Sequence, residues 1–252
     1  MAAPVRIGTS GFAFAEWVGS FYPHSTPPEQ MLGRYAERLR TVELSATFHR
    51  LPALPTVLQW RAQIPGDFRL CLTAPRQLTR DLRLARSSSA LAQLRRLVQA
   101  LGDEAGPVLF QIAPSLGADL PALGHFLDAI DGIRAALDLR HPSWRSDACL
   151  RILSAHEAAL VATDEAMGMP RLETTTDFAY WRLRRSHAEP EGFSWTERAA
   201  LLAKRGIEVF AFVKPDRRAH APVRAMALDA RVHELLGRRE RPAPTRSEVV
   251  YH

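Results

Sequence analysis

Short apolar strand-like runs alternate with helix-like stretches along nearly the whole chain, and no other feature restricts the fold so much. Residues 5–10, 41–48, 68–73, 108–112, 135–140, 160–163, 180–183 and 209–213 read as strands, each apolar and bounded by turn residues. Between them, residues 29–40, 55–63, 87–101, 120–130, 147–155, 196–204 and 223–236 carry helical periodicity. The segment 87–101 is the clearest, with Leu91, Leu94, Leu97, Val98 and Leu101 on one face. Gly206 closes the segment before it as a helix C-cap would. Such alternation requires parallel strands joined by crossover helices. Eight units within 252 residues predict a single TIM-like (β/α)8 barrel over residues 1–236, followed by a disordered Arg- and Pro-rich tail over 237–252. A doubly wound sheet is the alternative. Its dinucleotide fingerprint is missing, because Gly8-Thr9-Ser10-Gly11 has a different spacing.

Charge narrows the partners. The chain has 33 basic and 27 acidic residues, a net charge of +6, and every basic residue except Lys204 and Lys214 is an arginine. A nucleic-acid surface needs cations gathered on one face. Here they are scattered, apart from Arg182, Arg184 and Arg185 and the group Arg238, Arg239 and Arg241 in the tail. Cys71 and Cys149 lack the spacing of a disulfide or zinc framework and read as small buried hydrophobes. No apolar run approaches the ~20 residues of a membrane span. With no apolar signal region at its start, the chain is expected to be cytoplasmic and to have no membrane partner.

Strands buried on both faces should be almost wholly apolar, so charges within them mark the ends where a barrel does its chemistry. The second strand carries Glu43, the fourth Gln111, and the fifth Asp138 and Arg140, with His141 directly after. The sixth ends in Asp164-Glu165, the seventh holds Arg182 and Arg184, and the eighth ends at Lys214. Buried charges must be paired, so one reading is an internal ion-pair network that fixes strand register. The other is a polar cavity that binds a ligand. In that cavity Arg140, Arg182 and Lys214 would hold a carboxylate or phosphate, and Glu43 or Asp138 would move a proton with His141 as carrier. Ser10, at the end of the first strand, and Trp144, beyond the fifth, complete the predicted ligand-binding set. Nearby cations oppose a metal site, and no cofactor motif is present, so neither a metal nor a cofactor is expected. Trp17, Phe21 and Tyr22 in the first βα loop read as a roof over the barrel.

Several of these residues fall in motifs that resemble the YecE-like family, domain of unknown function 72. They are Ile7-Gly8-Thr9-Ser10-Gly11 with Trp17 to Pro23, then Thr41-Val42-Glu43 with Thr47-Phe48 and Arg50-Leu51-Pro52. Leu139-Arg140-His141-Pro142-Ser143-Trp144 and Tyr180-Trp181-Arg182-Leu183 follow in the right order. The resemblance runs from about Val5 to Leu236 and implies a TIM-like barrel, with no established activity. By that resemblance the chain looks like a divergent member. Thr73 stands where the family has a lysine, Asp138 where it has Glu, and Arg184-Arg185 where it has His-Gly. Lys214 would compensate for Thr73 if the two were neighbours across the barrel.

The function these features predict is acid–base catalysis on a small anionic or polyhydroxy compound at the barrel mouth. The alternatives are a divergent barrel that binds a ligand or partner without turnover, and a nucleic-acid-binding protein using the arginine-rich mouth and tail.

Overall fold

All eight expected strands form, and every pairing between them is parallel. The computed structural model describes residues 2–79, 88–164, 172–184, 194–216 and 219–237. The strands are β1 (Val5–Ser10), β2 (Thr41–Leu44), β3 (Arg69–Leu72), β4 (Val108–Gln111), β5 (Ala135–Asp138), β6 (Ala159–Thr163), β7 (Phe178–Leu183) and β8 (Glu208–Val213). The helices among the described residues are α1 (Met31–Ala36), α2 (Leu54–Gln63), α3 (Arg76–Thr79), α4 (Ser89–Leu101), α5 (Leu120–Ala129), α6 (Asp147–Ala155), α7 (Trp195–Lys204) and α8 (His220–Leu235). Glu165, Arg185 and the tail arginines lie outside the described residues, as does all of the expected tail except Gly237.

The sheet runs β3-β2-β1-β8-β7-β6-β5-β4, so it curls into a nearly closed barrel. Its seam lies between β3 and β4, which meet only at two isolated bridges, Leu70 with Ala105 and Thr73 with Leu109. Two backbone hydrogen bonds hold that seam, Ala74 N to the Leu109 carbonyl at 2.8 Å and Gly106 N to the Leu70 carbonyl at 2.9 Å. Glycine is required there, since a Cβ on Gly106 would stand 2.3 Å from Cys71 Sγ. The same holds where β1 meets β2, since one on Gly8 would stand 2.0 Å from the Thr41 carbonyl oxygen.

Alternation along each strand sorts its side chains into two sets. Cys71, Leu109, Ala136, Ala159, Val161, Phe178, Tyr180, Phe210 and Phe212 fill the tube. Their neighbours, such as Leu70, Leu72, Phe110 and Trp181, face outward and are covered by the helices. Burying an aromatic or branched side chain of this size contributes about 1.5–3 kcal/mol each. The first βα loop is packed in the same way. Trp17 is buried and donates its indole N–H to the Asp216 carbonyl at 2.9 Å, and Tyr22 donates its hydroxyl to the Phe12 carbonyl at 2.6 Å.

Several boundaries differ from the sequence expectation. β2 stops at Leu44, and a 3-10 turn takes residues Ser45–Phe48. The Thr47 hydroxyl replaces the missing ladder there, accepting from Thr73 N at 2.9 Å and lying 2.7 Å from the Thr73 carbonyl. β5 stops at Asp138, so Arg140 lies beyond the strand. α1 is cut to six residues, because Pro27 and Pro28 hold the chain in a short 3-10 turn first. α3 follows Pro75, where only a strand end was expected.

The N-terminal end of the tube is closed by charges that the sequence reading passed over. Glu208, at the start of β8, accepts from Arg6 Nε at 2.8 Å and from Arg134 Nη1 at 2.8 Å. The Arg134 guanidinium lies 4.3 Å over the Phe178 ring and reaches Asp177 at 3.4 Å. No helix among the described residues is long and apolar enough to cross a membrane.

Candidate functional site

The C-terminal ends of the strands bring Glu43, Gln111, Asp138 and Arg182 together. Period-two alternation places them there. In β7 Arg182 follows Phe178 and Tyr180, both inside the tube, and it is the next residue to point inward. Glu43 lies in register with Cys71 and Ser10, and Gln111 with Asp138. The Arg182 guanidinium crosses the mouth. Nη1 donates to Gln111 Oε1 at 2.7 Å and to Asp138 Oδ2 at 3.0 Å, and Nη2 donates to Glu43 Oε1 at 3.1 Å. One buried side chain from β7 thus ties β2, β4 and β5.

Glu43 is fully buried and collects further donors. Tyr180 donates its hydroxyl to Oε2 at 2.9 Å, Ser45 donates to Oε1 at 3.1 Å, and Arg184 Nη2 stands 3.4 Å from Oε1. Burial pushes the Tyr180 phenol well above its ordinary pKa, and the Glu43 charge beside it acts in the same direction. Tyr180 is therefore a neutral donor at any physiological pH. Asp138 is held by Arg140, which wraps back from beyond the strand with Nη2 on Oδ2 at 2.8 Å and Nε within 3.2 Å of both oxygens. Arg184 completes the ring, with Nη1 on Ser10 Oγ at 3.3 Å, while its backbone N–H donates to Asp164 Oδ1 at 2.5 Å.

The family model for DUF72, described as a protein of unknown function, matches residues 6–248. The chain belongs to the DUF72 family. The UPF0759 protein YecE of Escherichia coli is 30% identical over 115 residues, which cover 45% of this chain and 42% of that protein. The match thus spans less than half the length of that curated relative. A DUF72 family protein from Thermotoga maritima has a similar structure, 25% identical with a TM-score of 0.74, covering 90% of this chain and 98% of that one. One from Enterococcus faecalis shares the fold at 16% identity and a TM-score of 0.68, covering 93% of this chain and 98% of the other.

Within this DUF72 barrel, five predicted site residues lie in one cluster: Glu43, Asp138, Arg140, Arg182 and Ser10. Three do not join it among the described residues. His141 turns into the following 3-10 turn, its Nδ1 2.8 Å from Ser143 Oγ and accepting from Ser143 N at 3.2 Å. Trp144 is buried and donates its indole N–H to the Leu116 carbonyl at 2.9 Å. Lys214 is exposed and outside the cluster, whereas Thr73 is fully buried and its hydroxyl has no partner among the described residues. Tyr180 and Arg184 belong to the DUF72 cluster although neither was assigned a role. Their signal was present, since both share the inward parity of Arg182.

Proposed function

We propose that the mouth of this barrel binds a small anionic compound and acts on it by acid–base chemistry. The observation that carries this reading is Arg184. Among the described residues its side chain, 10% exposed, is held by contacts of 3.3 Å and 3.4 Å, beside the Glu43 carboxylate already served by Arg182. A guanidinium so loosely engaged has donors to offer a carboxylate or phosphate. Arg140, with 37% of its side chain exposed, adds a second positive charge at the rim. An anion that draws Arg184 away from Glu43 leaves Oε1 with two donors, Arg182 and Ser45, instead of three, and opens one side of it to a substrate proton, while Tyr180 and Arg182 keep the carboxylate in place.

A second reading, binding without turnover, is favoured by the number of donors on each carboxylate. Glu43 contacts two guanidiniums and two hydroxyls, and Asp138 contacts two guanidiniums. A thermal-shift panel of phosphate, sulfate, sugar acids, sugar phosphates and nucleotides separates the two readings. A ligand at 100 times its Kd stabilises by about 2.7 kcal/mol. Stabilisation of the wild type that is lost in Arg184→Ala places the anion in the mouth. Turnover of the bound compound, abolished in Glu43→Gln, supports catalysis, and its absence from every bound compound leaves the second reading. If no anion stabilises the wild type, both readings are wrong.

A further inference from the structure

Arg182 has donors left over. A guanidinium carries five N–H groups, two on each Nη and one on Nε. Nη1 spends its pair on Gln111 at 2.7 Å and Asp138 at 3.0 Å, and Nη2 gives one to Glu43 at 3.1 Å. Among the described residues the second N–H of Nη2 has no acceptor, and Nε is buried without a partner. Arg182 is only 5% exposed, so water at the surface does not serve them. Buried polar groups are nearly always satisfied, and an orphaned guanidinium N–H is costly unless something else fills the position.

Nε and Nη2 share one edge of the planar guanidinium, on the side away from the Nη1 that serves Gln111 and Asp138. Arg140 shows what such an edge can hold. Its Nε and Nη2 close together on the Asp138 carboxylate, all within 3.2 Å. In Arg182 the edge stays open because Glu43 does not close on it with both oxygens. Glu43 Oε1 meets Nη2, but Oε2 takes the Tyr180 hydroxyl at 2.9 Å. Arg184 arrives at the same place, its Nη2 3.4 Å from that same Oε1 and its Nη1 3.3 Å from Ser10 Oγ. The two guanidiniums therefore converge on one oxygen, on the β1 and β2 side of the mouth. Ser10 Oγ accepts from Arg184, and among the described residues its own proton is not given away.

Two guanidiniums with N–H groups to spare and one hydroxyl make a seat for a planar anion. Charge decides which anion. Glu43 and Asp138 are linked to Arg140, Arg182 and Arg184, two carboxylates against three guanidiniums, a net charge of +1. One negative charge balances that set. The second charge of a phosphate monoester would face Glu43 unmatched, with Asp164 close by on the Arg184 backbone N–H. We infer that the ligand of this mouth is a small monocarboxylate, its carboxylate lying along the Nε–Nη2 edge of Arg182. Arg184 stands on its other side, Ser10 Oγ donates to it, and the rest of the molecule extends toward the rim. This inference rests on the mouth being the ligand site.

Calorimetric titration of the full chain tests it, with acetate, lactate, gluconate and benzoate each set against its own amide, and with inorganic phosphate and glycerol 3-phosphate beside them. At least one carboxylate should bind about tenfold tighter than its amide and than either phosphate compound, the worth of one charge-assisted hydrogen bond. As that carboxylate is added, the assigned Nε–H signal of Arg182 should move downfield in a nitrogen–proton correlation spectrum. Arg182→Lys, which keeps a charge but loses the edge, should weaken its binding by about tenfold. A carboxylate that binds while the Arg182 Nε–H signal stays unmoved, or that binds equally well to a folded Arg182→Lys, lies elsewhere and overturns the inference. Equal binding of every carboxylate and its amide, or tighter binding of a phosphate than of every carboxylate, overturns it too. A phosphate that binds leaves the anion reading standing, whereas binding of no anion overturns that reading as well. The spectrum is taken on the wild type, so the test holds even if Arg182→Lys does not fold.

Discussion

At the floor of the barrel, Arg6 and Arg134 divide the two oxygens of Glu208 between them at 2.8 Å each, and Arg134 stacks on Phe178. At the mouth, three guanidiniums share Glu43 and Asp138 over distances from 2.8 Å to 3.4 Å, and one Nε–H and one hydroxyl are left over. The same residue types occur at both ends, and β7 and β8 contribute to the tube between them. The floor is a finished circuit of short contacts around one carboxylate. The mouth is crowded with donors, some of them loosely held. A charged cluster inside a barrel is thus read by how completely it satisfies itself, because a fully paired set has nothing left to offer a ligand.

The comparison can be broken most directly at Arg182. Arg182→Leu leaves Glu43, Asp138 and Gln111 without their common donor and should cost about 3–5 kcal/mol in denaturant unfolding. A loss smaller than that of the floor variant would reverse the assignment of which end depends more on its central ion. Glu208→Gln should cost about 2 kcal/mol, less because Arg134 is partly exposed, and it should leave anion affinity at the mouth unchanged in calorimetry. Tyr180→Phe keeps the ring against Phe212 and loses only the donor to Glu43, for about 1.5 kcal/mol in the same unfolding assay.

Alkaline titration tests the apolar tube between the two ends. Burial raises both the Cys71 thiol and the Tyr180 phenol above their ordinary values of 9.0 and 10.0. The unfolded chain therefore ionises first. The stability these groups contribute is complete below pH 9 and falls by about 1.4 kcal/mol per pH unit for each group once its ordinary value is passed. Unfolding midpoints across pH 8–11 measure this, and a flat profile would show that the tube admits water. The smallest effect is expected from Ser10→Ala, about 0.5 kcal/mol, since it removes one 3.3 Å contact to Arg184.

Strand–helix alternation made the barrel legible because parallel strands in a closed tube have no polar face to obscure their pattern. The mouth was legible in part for the same reason. Glu43, Asp138 and Arg182 interrupt runs that are otherwise apolar, and strand parity alone aims them inward. Arg6 and Glu208 escaped notice because a charge in the first residues of a strand looks like an ordinary solvated end. His141 and Trp144 were misplaced because they follow β5, where no strand parity governs direction and the 3-10 turn at Pro142 sets it instead.

The seam between β3 and β4 has a consequence for biosynthesis. With those strands joined only at two isolated bridges, the first three strands are attached to the rest of the sheet through the ladder between β1 and β8. That ladder pairs residues 5–9 with residues 209–213, so it closes a loop of about 200 residues. As the chain leaves the ribosome, the β1–β3 portion and the β4–β7 portion can each assemble, but until β8 emerges they are joined by the seam alone and the edges of β1 and β7 stay unpaired. The last strand made is the one that unites them. A nascent chain stalled before Glu208 therefore presents two open strand edges, the feature that templates aggregation.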